Sequence, residues 1–283
     1  MQLYKLRSWA KVNLSLNIIR RLPNKYHAIE SLVTFLNIYD VIYIKLSSKK
    51  KHTISFFGPF AKGIKKSNTV SKLLNILERK KLFKNKKFEI RIKKNLPQKS
   101  GLGGGSMNAA FLLKYFTEKK IIHISKKKTL ELAYKIGSDV ILGLEKKNSV
   151  LLSNGILRRS NRKINYFVLV VKPKIGCSTK KIFSRINCFS KSNYNNKSLK
   201  YFFNEKNLIK SKNDLEDVVF KLYPVIKKLK VFLSKLPNVK FVRMTGSGSA
   251  LVAYFKTKKT ANSALRVFTG KYKNYWCIIS KTI

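Results

Sequence analysis

Apolar and polar positions alternate most clearly over residues 9–19, where Val12, Leu14, Leu16 and Ile18 interleave with Lys11, Asn13, Ser15 and Asn17. A period of two predicts a half-buried β-strand that carries its polar set on one face. Similar patterns predict strands at 41–46, 53–57, 88–92, 149–157, 166–172, 241–244, 250–255 and 275–280. Asn68 and Thr69 read as a helix start, with Leu73, Leu74 and Leu77 as the apolar stripe behind it. Helices are also expected over 106–116, 129–136 with Gly137 as a stop, 214–233 and 260–268. Residues 190–212 are polar and read as a loop with a weak helix. No internal repeat is visible, and a break near residue 160 separates two α+β halves, 1–160 and 161–283.

Composition adds one strong feature: 62 Lys and Arg stand against 12 Asp and Glu, a net charge of +50. A clustered basic face would indicate a nucleic-acid partner. Here the lysines are scattered through otherwise ordinary amphipathic segments, so compositional bias explains them and no specific nucleic acid is expected. No apolar run reaches the roughly 18 residues a membrane span needs, and the N-terminus lacks a signal-peptide pattern. Three widely spaced cysteines, Cys177, Cys188 and Cys277, fit reduced thiols in a cytoplasm and no zinc site.

Chemistry concentrates in a few segments. Pro97-Gln98-Lys99-Ser100-Gly101-Leu102-Gly103-Gly104-Gly105-Ser106-Met107 places four glycines in five positions between a strand and a helix. Glycine lets consecutive backbone N–H groups converge on an anion, and the helix start adds unpaired donors and a positive dipole end. Such a loop suits the phosphates of a nucleotide, with the Ser106 hydroxyl near them. It is not a Walker loop, because no Gly-Lys-Ser/Thr follows the glycines, and it does not match the spacing of a dinucleotide fingerprint. Asp139 leads straight into an apolar run, which marks a carboxylate that is capping, ion-paired or functional. Lys11 shares a strand face with Asn13 and Ser15; lining a cleft and facing solvent are both open to it. Met-Thr-Gly-Ser-Gly-Ser at 244–249 is a second glycine turn, readable as a hairpin or as a ligand contact. Tyr26 and His27 form an aromatic–imidazole pair able to stack on and hydrogen-bond a base.

Taken in order, Trp-Ala-Lys-Val-Asn-Leu at 9–14, the glycine segment at 97–110 and the turn at 244–249 resemble the three motifs of the GHMP kinases. Lys-Tyr-His at 25–27 and Gly-Ser-Asp-Val at 137–140 extend the likeness toward members acting on a cytidyl-diphospho sugar alcohol, over residues 8–255. The resemblance implies an α+β, two-domain GHMP kinase fold: an N-terminal ribosomal-protein-S5-like domain and a C-terminal ferredoxin-like one. It implies ATP as phosphoryl donor, with Mg2+ carried by the ATP rather than by a protein metal site. It implies Lys11 and Asp139 as the catalytic pair, Pro97 to Met107 as the ATP loop, and Asn13, Tyr26, His27 and Phe183 as substrate contacts. The acceptor is expected to be the 2-hydroxyl of the sugar alcohol, in the non-mevalonate isoprenoid route. Homoserine-type or mevalonate-type kinases remain alternatives, as does a non-catalytic RNA-binding protein on the same scaffold. Two departures stand out: Val140-Ile-Leu-Gly143 replaces the family's proline and aromatic residues, and Lys25 replaces a glycine.

Overall fold

The computed structural model describes residues 2–23, 26–192, 194 and 198–283. Its elements in chain order are β1 (Tyr4–Arg21), β2 (His27–Ser47), β3 (Thr53–Phe57), α1 (Thr69–Arg79), β4 (Lys87–Lys93), α2 (Gly104–Glu118), α3 (Lys126–Ile136) and α4 (Val140–Gly143). There follow β5 (Asn148–Leu151), β6 (Leu157–Ser160), β7 (Phe167–Lys172), α5 (Thr179–Phe183), α6 (Leu199–Phe202), α7 (Glu205–Lys210) and α8 (Leu215–Leu222). The chain ends with α9 (Pro224–Ser234), β8 (Phe241–Met244), β9 (Leu251–Phe255), α10 (Lys258–Lys271) and β10 (Trp276–Lys281). The class is α+β, as the patterning predicts.

Two compact units share the chain. One holds the residues up to Lys11, Ile38–Gln98 and Gly103–Lys146; the other holds Val12–Asn37, Lys99–Leu102 and Lys147–Ile283. The units alternate along the sequence because β1 and β2 each contribute a segment to both.

In the first unit the later half of β2 pairs antiparallel with β4, setting Ile42 against Ile92 and Ile44 against Ile90, while β3 adds to β4 in parallel. Asn68 caps α1: its side chain accepts from the Val70 and Ser71 amides, and the Ser71 hydroxyl accepts from the Asn68 amide. Such a cap is worth about 1 kcal/mol. Val70, Leu73, Leu74 and Leu77 are all buried, and at about 1.5–3 kcal/mol for each large apolar side chain their burial outweighs the cap. The cap fixes where α1 starts; the stripe fixes that it stays. Phe83, Phe88 and Phe116 close this core with ring centroids 5.1–5.3 Å apart.

In the second unit β5 pairs antiparallel with the early half of β2 and forms a hairpin with β6. A separate antiparallel sheet runs β10-β7-β9-β8. Its core joins Leu169, Val171, Leu251 and Ala253 to helix residues such as Val219, Leu229, Leu233 and Phe268.

Several boundaries differ from the sequence expectation. The strand expected at 149–157 is the β5–β6 hairpin instead, turning at Asn154 and Gly155, where Gly155 takes φ +85°. The helix expected at 214–233 is two helices, because Tyr223, preceding Pro224, is held at φ −136° and ψ 76°. Helix α2 starts at Gly104, two residues before Ser106, and β2 already begins at His27. Strand β1 is buried on both faces between Ser8 and Leu16, apart from Trp9, which is only partly covered. Alternation there separates apolar from hydrogen-bonded neighbours, not core from water. Lys25 lies outside the described residues.

Candidate active site

In the first unit the glycine loop runs into α2 through Gly103, the N-cap residue, at φ +72° and ψ +11°. Glycine adopts this left-handed conformation without the penalty a Cβ imposes. A Cβ would also meet the Lys11 side chain, 2.8 Å from its Cγ and 3.0 Å from its Cε. The stem of Lys11 therefore passes directly under the loop. No side chain caps α2, so its first-turn amides, from Gly104, Gly105 and Ser106, are left by helix geometry to an external acceptor. Thr69, the first residue of α1, donates its hydroxyl to the Gly105 carbonyl at 2.7 Å and supports the loop from the other side. A cleft of about 420 Å³ opens at that helix start, lined by Asn68, Thr69, Lys72 and Asn75 among others.

Lys11 Nζ lies 3.1 Å from Asp139 Oδ2; the lysine side chain is 4% exposed and the aspartate 37%. Asp139 occupies the N-cap position of α4 yet makes no capping bond, which sets aside its reading as a simple helix cap. Its carboxylate is held by an ammonium from below and opens to solvent above. Gly143, at the end of α4, allows that helix to sit close on α2: a Cβ there would meet Ala110 Cβ at 2.6 Å and Met107 Sδ at 2.9 Å. Glycine at 143, one position of the 140–143 departure from the family pattern, thus has a packing explanation in this chain.

The other expected loop residues are held by burial and hydrogen bonds. Pro97, Leu102 and Met107 are buried, and the Gln98 side chain donates to the Phe60 and Lys62 carbonyls, both at 2.9 Å. In the second unit, Lys99 and Ser100 offer their carbonyls to the Ser249 and Ala250 amides at 3.3 and 3.1 Å. Thr245 Oγ1 donates to the Gly101 carbonyl at 3.1 Å. A Cβ on Gly101 would overlap the Thr245 carbonyl. The turn at 244–249 is therefore both the β8–β9 hairpin and the seat of the loop's first half.

Asn13 is bound from several sides within this second unit. Its Nδ2 donates to Ser31 Oγ at 2.8 Å, its Oδ1 accepts from the Gly246 amide at 3.0 Å, and its own amide donates to Thr245 Oγ1 at 3.1 Å. These contacts make it a brace between β1 and the 245–246 turn. His27 lies against Phe183, with ring centroids 5.4 Å apart. Tyr26 is 71% exposed. Sequence reasoning missed Phe189, whose ring stands 6.4 Å from His27 and lines a cleft of about 860 Å³ with Arg185, Ser190 and Lys212. It also missed the specific roles of Ser31 and Thr245, since partners 232 residues apart, such as Asn13 and Thr245, leave no local pattern.

Residues 68–146 match the family profile described as GHMP kinases N terminal domain, and residues 199–274 match GHMP kinases C terminal. A Pelagibacter ubique (strain HTCC1062) protein described as 4-diphosphocytidyl-2-C-methyl-D-erythritol kinase is 49% identical over 283 residues, all of both chains. The chain belongs to the GHMP kinases. A protein of the same description from Anaplasma phagocytophilum (strain HZ) is 30% identical to this GHMP kinase, over 100% of the chain and 96% of its own. Among solved structures, a 4-(cytidine 5'-diphospho)-2C-methyl-D-erythritol kinase superposes with a TM-score of 0.78 at 21% identity, covering 99% of this chain and 100% of that one. A homoserine kinase from Cytophaga hutchinsonii gives 0.68 at 16%, covering 100% and 95%. At these identities the likeness is one of fold, the two-domain GHMP kinase fold.

Proposed function

We propose that this GHMP kinase transfers the γ-phosphoryl group of ATP to the 2-hydroxyl of 4-diphosphocytidyl-2-C-methyl-D-erythritol, in the cytoplasm and within the non-mevalonate route to isoprenoids. The observation that carries the chemistry is the Lys11–Asp139 pair under Gly103, beside the open first turn of α2. The substrate reading is supported by the full-length, 49% identical relative. The three cysteines are free thiols, which fits a reducing compartment. Among the described residues no helix is long and apolar enough to cross a membrane. For the division of the chain we propose a boundary near residue 160, between the segments matched by the two family profiles, 68–146 and 199–274.

The amides of Gly104, Gly105 and Ser106 receive phosphate oxygens and bear part of the charge that spreads over them during transfer. Asp139, the exposed partner, takes the proton of the attacking hydroxyl while the new O–P bond forms and the bridging oxygen leaves with ADP. Lys11 fixes the direction of that carboxylate; being nearly buried, it acts through a medium that screens it weakly. The Ser106 hydroxyl is a hard oxygen donor, as Mg2+ prefers, and that ion takes few protein ligands when phosphates and water supply the rest. Bound with ATP, it would neutralise phosphate charge. In the second unit, His27 and Phe183 offer a ring face and a hydrogen-bonding edge for a cytosine.

The test is incubation with ATP, Mg2+ and the cytidyl-diphospho sugar alcohol, following ADP and the monophosphorylated product. Asp139→Asn is expected to fold with an unchanged circular-dichroism spectrum and to lose about 10³-fold in kcat. Phosphorylation of homoserine or mevalonate in preference to the cytidyl substrate would overturn the substrate reading. Near-normal turnover by Asp139→Asn would remove the aspartate from its role.

A further inference from the structure

A second lysine–aspartate pair lies under the same loop, within the first unit. Lys94 follows β4 and pairs with Asp40 of β2; their side chains are 5% and 0% exposed. Asp40 Oδ1 accepts from the Asn95 and Leu96 amides at 2.8 and 2.9 Å. Its Oδ2 accepts from Lys94 Nζ and from Asn108 Nδ2, the latter at 3.1 Å. One carboxylate therefore holds both the chain entering the glycine segment and the second turn of α2. Asn108 stands one turn beyond Gly104, and a Cβ on Gly104 would lie 3.2 Å from Lys94 Nζ and 3.5 Å from Asp40 Oδ2. The backbone at Gly104 thus rests on this pair as Gly103 rests on Lys11.

Burying two charges is costly, and well-packed apolar residues often serve stability as well or better. What an apolar pair does not reproduce is four directed hydrogen bonds onto three separate pieces of backbone and side chain. We propose that Asp40, acting through Asn95, Leu96 and Asn108, is a positioning residue for the phosphoryl donor, setting the directions of the Gly104–Ser106 amides. The proposal rests on the kinase reading above and concerns the nucleotide end of that reaction only.

Two variants of the full chain test it. Asp40→Asn keeps the side-chain shape but cannot accept from all four donors. Asn108→Ala leaves the ion pair in place and removes only the link to α2. Both are expected to raise KM for ATP, by about tenfold and about threefold respectively, with KM for the cytidyl substrate within about twofold of wild type. The Kd of a non-hydrolysable ATP analogue is expected to rise in parallel. A purely structural role would instead lower the melting temperature and the active fraction while leaving both KM values alone, and that result overturns the proposal. Should Asp40→Asn fail to fold, Asn108→Ala decides: an unchanged ATP KM and analogue Kd refute the brace. A wild-type protein that transfers no phosphate defeats the reading of function, and the analogue's Kd still judges the brace.

Discussion

His27, proposed above to meet the cytosine, ties that proposal to pH at the scale of a single residue. Partial burial, and then the nearby Arg21 guanidinium, push its pKa below the ordinary 6.5. Above that value the ring is neutral, with one nitrogen donating and one accepting, which matches the mixed edge of cytosine. Protonation turns both nitrogens into donors and removes the acceptor. Because the folded pKa is lowered, the neutral form persists on acidification through 6.5 and is lost only beneath it. KM for the cytidyl substrate is therefore expected to stay level from about pH 8 to 6.5 and to rise below. His27→Gln, which keeps one donor and one acceptor and does not titrate, should remove that rise. An increase setting in at or above pH 6.5, or one surviving in the glutamine variant, contradicts the assignment.

Among elements, α4 shows two opposing effects whose sizes decide the outcome. Replacing Gly143 by alanine should favour a helix by up to about 1 kcal/mol. The added methyl, however, meets Ala110 Cβ at 2.6 Å and Met107 Sδ at 2.9 Å, and overpacking a filled contact costs about 1–3 kcal/mol. Packing wins, so Gly143→Ala is expected to lower Tm by about 2–4 °C. It should also reduce kcat, because Asp139 immediately precedes the displaced helix. A higher Tm with unchanged kcat would show that α4 has slack against α2. The contrast with α1 shows what a sequence displays of its elements. Asn68, the buried leucines and the glycine run are local signals, and each lies where local physics puts it. Pro224 and the Asn154–Gly155 turn were local signals too, and they end elements that periodicity alone carried too far. The brace at Asp40 and the Asn13–Thr245 contact could not be read in advance, since they join residues 54 to 232 positions apart. Lys11 and Asp139 were named in the sequence by motif order; their 3.1 Å separation needed the fold.

For the whole molecule the controlling quantity is the net charge of +50. ATP and a cytidyl diphosphate are both anions, so a cationic field raises their encounter rate, and salt reduces that benefit as the screening length falls to about 10 Å at 0.1 M. The Lys11–Asp139 contact is short and its lysine is nearly buried, so salt reaches the chemical step far less. Raising ionic strength from about 20 to 300 mM is therefore expected to lower kcat/KM for the anionic substrates several-fold while kcat changes little. The same charge predicts weak RNA binding, which should vanish over the same salt range because counterion release drives it. Steady-state kinetics and a filter-binding titration across one salt series separate the two readings of the lysine excess. RNA binding that is tight at low salt and falls steeply as salt rises, alongside kcat/KM indifferent to salt, would mean that the charge serves a nucleic-acid surface rather than the capture of small phosphorylated substrates.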